Sequence, residues 1–183
     1  MCESLTLLRA VSGKTCRTWR TIIVHHSPSD DVLSDRRGIQ MSDGWKELMR
    51  GVVHPWHHDQ FGHMNVRWYA HFFDDAVFHL YPVFGVSLTR MQEQFGVHTV
   101  TAQATTNFIK ELKAGDLIRI VGGVTRLGGK SITFTLRMFN VDDGELHATY
   151  ELVEVCFDPE TRKSAEIPAG LRELLAASVV DDA

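Results

Sequence analysis

Residues 66–80 read VRWYAHFFDDAVFHL, and their periodicity decides the fold. Tyr69, Phe72, Phe73, Ala76, Val77 and Leu80 recur at spacings of three and four, on one continuous face of an α-helix. Asn65 stands just before the run, where its side-chain oxygen can accept from a free backbone N–H and cap the helix. Pro82 marks the helix end or an adjacent turn. The segment also carries Trp68 and Phe78, more apolar surface than a helix with one buried side can use. Burying three of its large rings is worth several kcal/mol at roughly 25 cal/mol per Å2.

Such a helix needs a surface that wraps it, and the following sequence supplies one. Residues 87–96 read as a short helix ending at Gly96. The period then changes to two. Residues 97–109 are strand-like, Lys113-Ala114-Gly115-Asp116 is a turn, and 117–127 form a second strand. Gly128-Gly129 is a hairpin signal. Beyond it Ile132, Phe134, Leu136 and Met138 alternate with Thr133, Thr135 and Arg137. Asp142-Asp143-Gly144 is another hairpin turn, and 145–157 make a fourth long strand. Ile167-Pro168 leads into a short C-terminal helix. On the other side of the long helix, GVVHPW at 51–56 is a short β-like run. The expected class is α+β: antiparallel strands joined by tight turns, curled around a long central helix.

The chain has 183 residues, 44% hydrophobic and 23% charged, with a formal net charge of −4. That suits one domain with a real core and lacks the basic excess of general nucleic-acid binding. No apolar run approaches the ~20 residues that cross a bilayer. Cys2, Cys16 and Cys156 are odd in number and irregular in spacing, so they read neither as a disulfide framework nor as a thiolate zinc site. Cys156 reads as a small buried hydrophobe. A reducing, cytoplasmic setting is expected. The first 26 residues set Arg9, Lys14, Arg17 and Arg20 against Glu3, faintly like an organelle transit peptide, without a cleavage pattern. Residues 27–40 are polar, and Met41 offers a natural start. Residues 1–40 therefore read as a disordered extension or over-called start, and 41–183 as the domain.

Chemistry concentrates just before the long helix, where residues 54–65 read HPWHHDQFGHMN. Asp59 can act as base or nucleophile, or merely cap. His54, His57, His58, Asp59 and His63 offer enough donors for zinc. Their spacing matches no helical HExxH pattern, and on a strand His57 would point away from His54 and His58. The metal reading is the weaker one; no cofactor is expected.

Asp59-Gln60-Phe61-Gly62-His63-Met64-Asn65, followed by Trp68-Tyr69, resembles the signature of the hotdog-fold acyl-CoA thioesterases, in the branch typified by 4-hydroxybenzoyl-CoA thioesterase. Glu111-Leu112-Lys113-Ala114-Gly115-Asp116 and Gly129-Lys130-Ser131 support it in order, and the likeness covers about residues 45–170. It implies a hotdog fold, a homodimer or homotetramer with the acyl-CoA site at the subunit interface, and a catalytic acid at Asp59. The chain departs from the pattern in His57-His58 before the acid and in Asn65-Val66 where some members carry an asparagine doublet. Those departures leave the acyl group open.

A thioester hydrolase needs a carboxylate and donors for the developing oxyanion. Asp59 would supply the first, and free N–H groups at Asn65 and Val66 the second, worth about 10²–10³ in rate each. Gly62 lets the loop turn tightly. His63 either orients the carboxylate, water or substrate, or bonds backbone. Asn65 can cap, take part directly, or both. Trp68 joins Gly62 on the substrate side, and Trp56, Phe61 and Phe95 line either an apolar pocket or the core. Arg126 and Lys130, with Arg137, Arg162 and Lys163 behind them, are the cations for CoA phosphates. Asp74 and Asp75 stand as backup acids, read first as polar flank positions like His71 and His79. The rival functions are a non-catalytic acyl-CoA-binding protein and a hydratase or dehydratase of acyl thioesters.

Overall fold

In the computed structural model, residues 44–181 are described; the expectations for residues 1–40, including Cys2 and Cys16, and for the start at Met41 lie outside them. Strand β1 (Lys46–Val52) precedes helix α1 (Val66–Val83). A turn of 3-10 helix at Leu88–Arg90 and the short α2 (Met91–Phe95) follow. Four long strands come next: β2 (His98–Phe108), β3 (Leu117–Leu127), β4 (Ser131–Asn140) and β5 (Leu146–Asp158). The short β6 (Lys163–Ser164) and helix α3 (Ala169–Ala176) follow.

The helix behaves as its pattern requires. Asn65 Oδ1 accepts from the Arg67 N–H at 3.1 Å, and Tyr69, Phe72, Phe73, Ala76 and Leu80 are buried. They meet Ile118, Ile120, Ile132, Phe134, Leu136, Met138, Ala148 and Leu152 from the strands in one cluster. Phe73 stacks on Tyr150 and Tyr81 meets Phe134 edge-on. Gly122 lets helix and strand approach closely: a Cβ there would stand 2.7 Å from Leu48 Cδ1 and 3.0 Å from Leu80 Cδ2. Phe78, expected to add to the buried load, is 64% exposed instead. Cys156 is buried among the apolar side chains, and burial pushes its thiol up to about 11. Pro82 lies in the last turn of α1, which closes at Phe84.

Two expectations change. Of the run 51–56 only Gly51 and Val52 are strand: β1 ends at Val52, and Pro55–His57 form a 3-10 turn, because Pro55 has no N–H for a ladder. The strands are not a simple meander either. The sheet order is β1-β3-β4-β5-β2, all antiparallel, so consecutive β2 and β3 are separated by β4 and β5. The segment 109–116 crosses three strand spacings, roughly 14 Å, and eight extended residues reach about 26 Å. In crossing it passes the start of α1 and ties down the loop before it. Val53 N–H donates to Asp116 O (2.9 Å), Met64 N–H to Leu112 O (2.7 Å) and Gly115 N–H to Val53 O (2.8 Å).

Candidate active site

The loop 57–65 is held from three sides. His57 is buried; its Nδ1 accepts from the His54 N–H at 3.0 Å, and its ring lies 4.4 Å from Trp68 and 5.4 Å from Phe72. Burial, then the neighbouring His54, His71 and His58, lower the His57 pKa from the ordinary imidazole value. His57 O accepts from the Asn65 N–H (2.9 Å), and His58 Nε2 accepts from the Ala114 N–H (2.6 Å). His63 Nε2 lies 3.0 Å from Glu111 Oε2. The histidines expected as an alternative metal set thus serve several different backbone and side-chain partners.

Asp59 closes the loop on itself. Its Oδ1 accepts from the Phe61 N–H at 2.8 Å and from the His63 N–H at 3.4 Å, while its own N–H donates to His63 O at 2.9 Å. Gly62 takes φ of +80°, a left-handed conformation that permits this reversal. The two oxygens are therefore not equivalent: Oδ1 is spent on the turn and Oδ2 has no bonding partner among the described residues.

At the helix start, Asn65 N–H is used by His57 O, Arg67 N–H by Asn65 Oδ1 and Trp68 N–H by Asn65 O. Val66 N–H remains the first-turn amide with no partner among the described residues. Asp59 and Val66 line the same open cleft of about 740 Å3, together with Phe61, His63, Tyr69 and Phe108. Ile109, Lys110 and Glu111 from the crossover form its far wall. Burial pushes the Tyr69 phenol up to about 12, and its O–H points to Lys110 O at 3.4 Å.

Of the expected residues, Asp59, His63 and Val66 line this cleft; Asn65 and Gly62 do not line it, Asn65 capping the helix and Gly62 turning the loop. Trp68 packs half-buried against His57 and the core, away from the cleft lining, with the Arg67 guanidinium 4.8 Å from its ring. Phe61 lines the cleft, whereas Trp56 is exposed and stacks on His54, and Phe95 packs against the core. Arg126 is exposed near the end of β3 and Lys130 in the following turn. The cleft adjoins the opposite end of β3, roughly 30 Å away along the strand. Asp74 and Asp75 are exposed, and Asp75 lies 3.5 Å from His71. The sequence reading missed Tyr69, Phe108, Ile109, Lys110 and Glu111 as a cleft wall. Its one available signal was the ELKAGD segment, whose crossing path a local pattern does not reveal.

Residues 53–175 match the family model of the thioesterase-like superfamily, and the chain belongs to that family. No curated protein matches it. Its fold is that of solved thioesterases. The hypothetical protein SAV2348 from Staphylococcus aureus, solved in complex with CoA, superimposes with a TM-score of 0.66 at 21% identity over 78% of this chain and 90% of that one. The probable thioesterase YbaW from Escherichia coli gives 0.63 at 22% over 72% and 98%. Slr0204, a 1,4-dihydroxy-2-naphthoyl-CoA thioesterase from Synechocystis, gives 0.62 at 15% over 73% and 96%. The curled antiparallel sheet around α1 is thus a hotdog fold of the α+β class. No helix among the described residues is long and apolar enough to cross a membrane.

Proposed function

We propose that the protein hydrolyses an acyl-CoA thioester to the free acid and CoA, with Asp59 as nucleophile or general base and the start of α1 as oxyanion site. The observation that carries this is the pairing of an uncommitted carboxylate oxygen, Asp59 Oδ2, with an uncommitted amide, Val66 N–H, on one cleft. As general base, Asp59 Oδ2 takes a proton from water while the water oxygen adds to the thioester carbonyl. As nucleophile, it adds to the carbonyl itself and forms an anhydride that water then cleaves. In both routes negative charge gathers on the former carbonyl oxygen, where Val66 N–H and the positive end of the helix favour it. Collapse breaks the C–S bond, and CoA leaves as a thiolate that takes up a proton. His63 stays with Glu111 and steadies the loop; Asn65 steadies the helix start.

The cleft is open, and a second copy of the chain completes it. Among the described residues β2, 11 residues long, pairs with β5 along one edge only, and nothing pairs with its other edge. Phe108 and Ile109 are exposed at its end. A long exposed edge of this kind is a template for another strand. Antiparallel pairing of two β2 edges brings the partner's His98 end beside this chain's cleft. His98 pairs with Phe157, and Val155 with Ser131, so the partner's Lys130 and Arg126 arrive at that end too. This arrangement reconciles the distance between the cleft and these cations within one chain, and places them for CoA phosphates.

CoA release from a panel of short, long, aromatic and charged acyl-CoAs, followed with a thiol reagent, tests the reading and identifies the acyl group. Turnover of one class supports it. Tight acyl-CoA binding with no release on any member points to a binding protein, and gain or loss of water in the acyl chain without free thiol to a hydratase or dehydratase.

A further inference from the structure

β5 starts with an irregularity. Met138 pairs with Ala148 but Phe139 with Leu146, which leaves His147 as the extra residue of a bulge. Bulges re-aim side chains. His147 is 5% exposed, and neither of its ring nitrogens has a hydrogen-bond partner among the described residues. A buried, unpaired polar group is costly and calls for a reason.

Two carboxylates stand beside it. One ligand atom from each of Asp143, Glu145 and His147 lies within 4.8 Å of the others. The turn that carries the acids is built by its own bonds. Asp142 N–H donates to Asn140 Oδ1 and Glu145 N–H to Asp143 Oδ1, both at 2.8 Å, and Asn140 N–H to Glu145 O at 3.0 Å. Asp143 Oδ2 has no partner among the described residues. The Lys110 ammonium pairs with Glu145.

We propose that Asp143, Glu145 and His147 bind a divalent first-row transition cation of the zinc type. One imidazole with two carboxylates is a nitrogen–oxygen donor set that suits such ions, whereas calcium and magnesium sites are built from oxygen. Metal–ligand bonds of about 2.0–2.2 Å hold any two ligand atoms no more than roughly 4.4 Å apart. The observed set closes to that span by small rotations of the exposed Asp143 and Glu145 side chains, with His147 fixed. Lys110 supplies a single positive charge to Glu145, against the two carboxylates of the turn. A dication displaces it, balances both acids and gives His147 its missing partner. The released ammonium remains beside the cleft that Lys110 lines.

The test is titration of the full, untagged, chelator-treated chain with Zn2+, read by calorimetry and by the rise in melting temperature that native-state binding produces. One ion per chain is expected. Glu145→Gln and Asp143→Asn, both at exposed positions, weaken binding by on the order of tenfold or more, and so does His147→Leu if it folds. Lys110→Gln tightens binding by roughly fivefold, the worth of a good surface ion pair. With Co2+ in place of Zn2+, the visible spectrum changes on addition of metal to the wild type and not to Glu145→Gln. Absence of binding at micromolar Zn2+, or binding that Glu145→Gln and Asp143→Asn leave unchanged, overturns the proposal.

Discussion

Replacing Asn65 separates its capping from the chemistry assigned to the helix start. Asn65→Ala removes the bond from Asn65 Oδ1 to the Arg67 N–H, 3.1 Å long. Loss of such a cap costs about 1 kcal/mol, or about 2–4 °C in melting temperature for a domain of this size. Asn65→Asp restores the cap, since aspartate is as good an acceptor there. It also places a negative charge beside Val66 N–H, where the oxyanion is held to form. Two like charges about 4 Å apart repel by roughly 1 kcal/mol in water-like surroundings and about 4 kcal/mol at an effective dielectric constant of 20. This cleft is open, so about 1.5–3 kcal/mol is expected, a fall of roughly tenfold to a hundredfold in kcat. The assay pairs urea unfolding with CoA release at saturating substrate. Wild-type stability together with low kcat in Asn65→Asp is the expected result. Wild-type stability together with wild-type kcat would refute the oxyanion assignment, because the added charge would then face no developing charge.

Three further outcomes follow from the packing and the edge strand. Tyr81 O–H donates to the buried Glu154 Oε2 at 3.0 Å, and Thr101 O–H to Oε1 at 3.1 Å, so Tyr81→Phe leaves one carboxylate oxygen without a protein donor; urea unfolding is expected to register a loss of about 2–3 kcal/mol. The His57 pKa is lowered on folding, so its contribution is complete above the ordinary histidine value of about 6.5 and is lost as pH falls through the lower native value. Melting temperatures should therefore decline in that acidic window, less steeply in His57→Asn, whose amide oxygen can still accept from His54; an unchanged slope would count against the buried, neutral ring. Light scattering should give at least twice the 20.7 kDa chain mass, and Gln103→Asp, which sets like charges face to face near the middle of paired β2 edges, should shift the mass toward monomer.

The elements that the sequence made legible are those whose signal is local. Tyr69, Phe72 and Phe73 announce the buried face of α1 by spacing alone, Ile132 to Met138 announce β4 by alternation, and Asn65 announces the cap. Asp59 stood out because a lone acid beside a glycine and a helix start is a chemical pattern as well as a sequence one. What stayed hidden depends on long-range pairing. A turn signal at Lys113–Asp116 reads the same whether β3 folds back on β2 or crosses to β1, and only hydrogen bonds such as Met64 N–H to Leu112 O reveal the second path. Lys110 and Glu111 reach the cleft by that route. Arg126 and Lys130 carry the right charge, but their distance from this chain's Asp59 follows from the length and direction of β3. The bulge that turns His147 inward leaves no trace in a strand of otherwise ordinary composition.

The proposed hydrolysis depends most heavily on Asp59 Oδ2. Asp59→Asn keeps an oxygen for the Phe61 and His63 amides and so preserves the loop, yet removes the charge that attacks or activates water. On the acyl-CoA that the wild type cleaves best, CoA release by this variant should fall by at least about two orders of magnitude, with the melting temperature held near that of the wild type. CoA release at the wild-type rate from a folded Asp59→Asn protein would remove Asp59 from the chemistry.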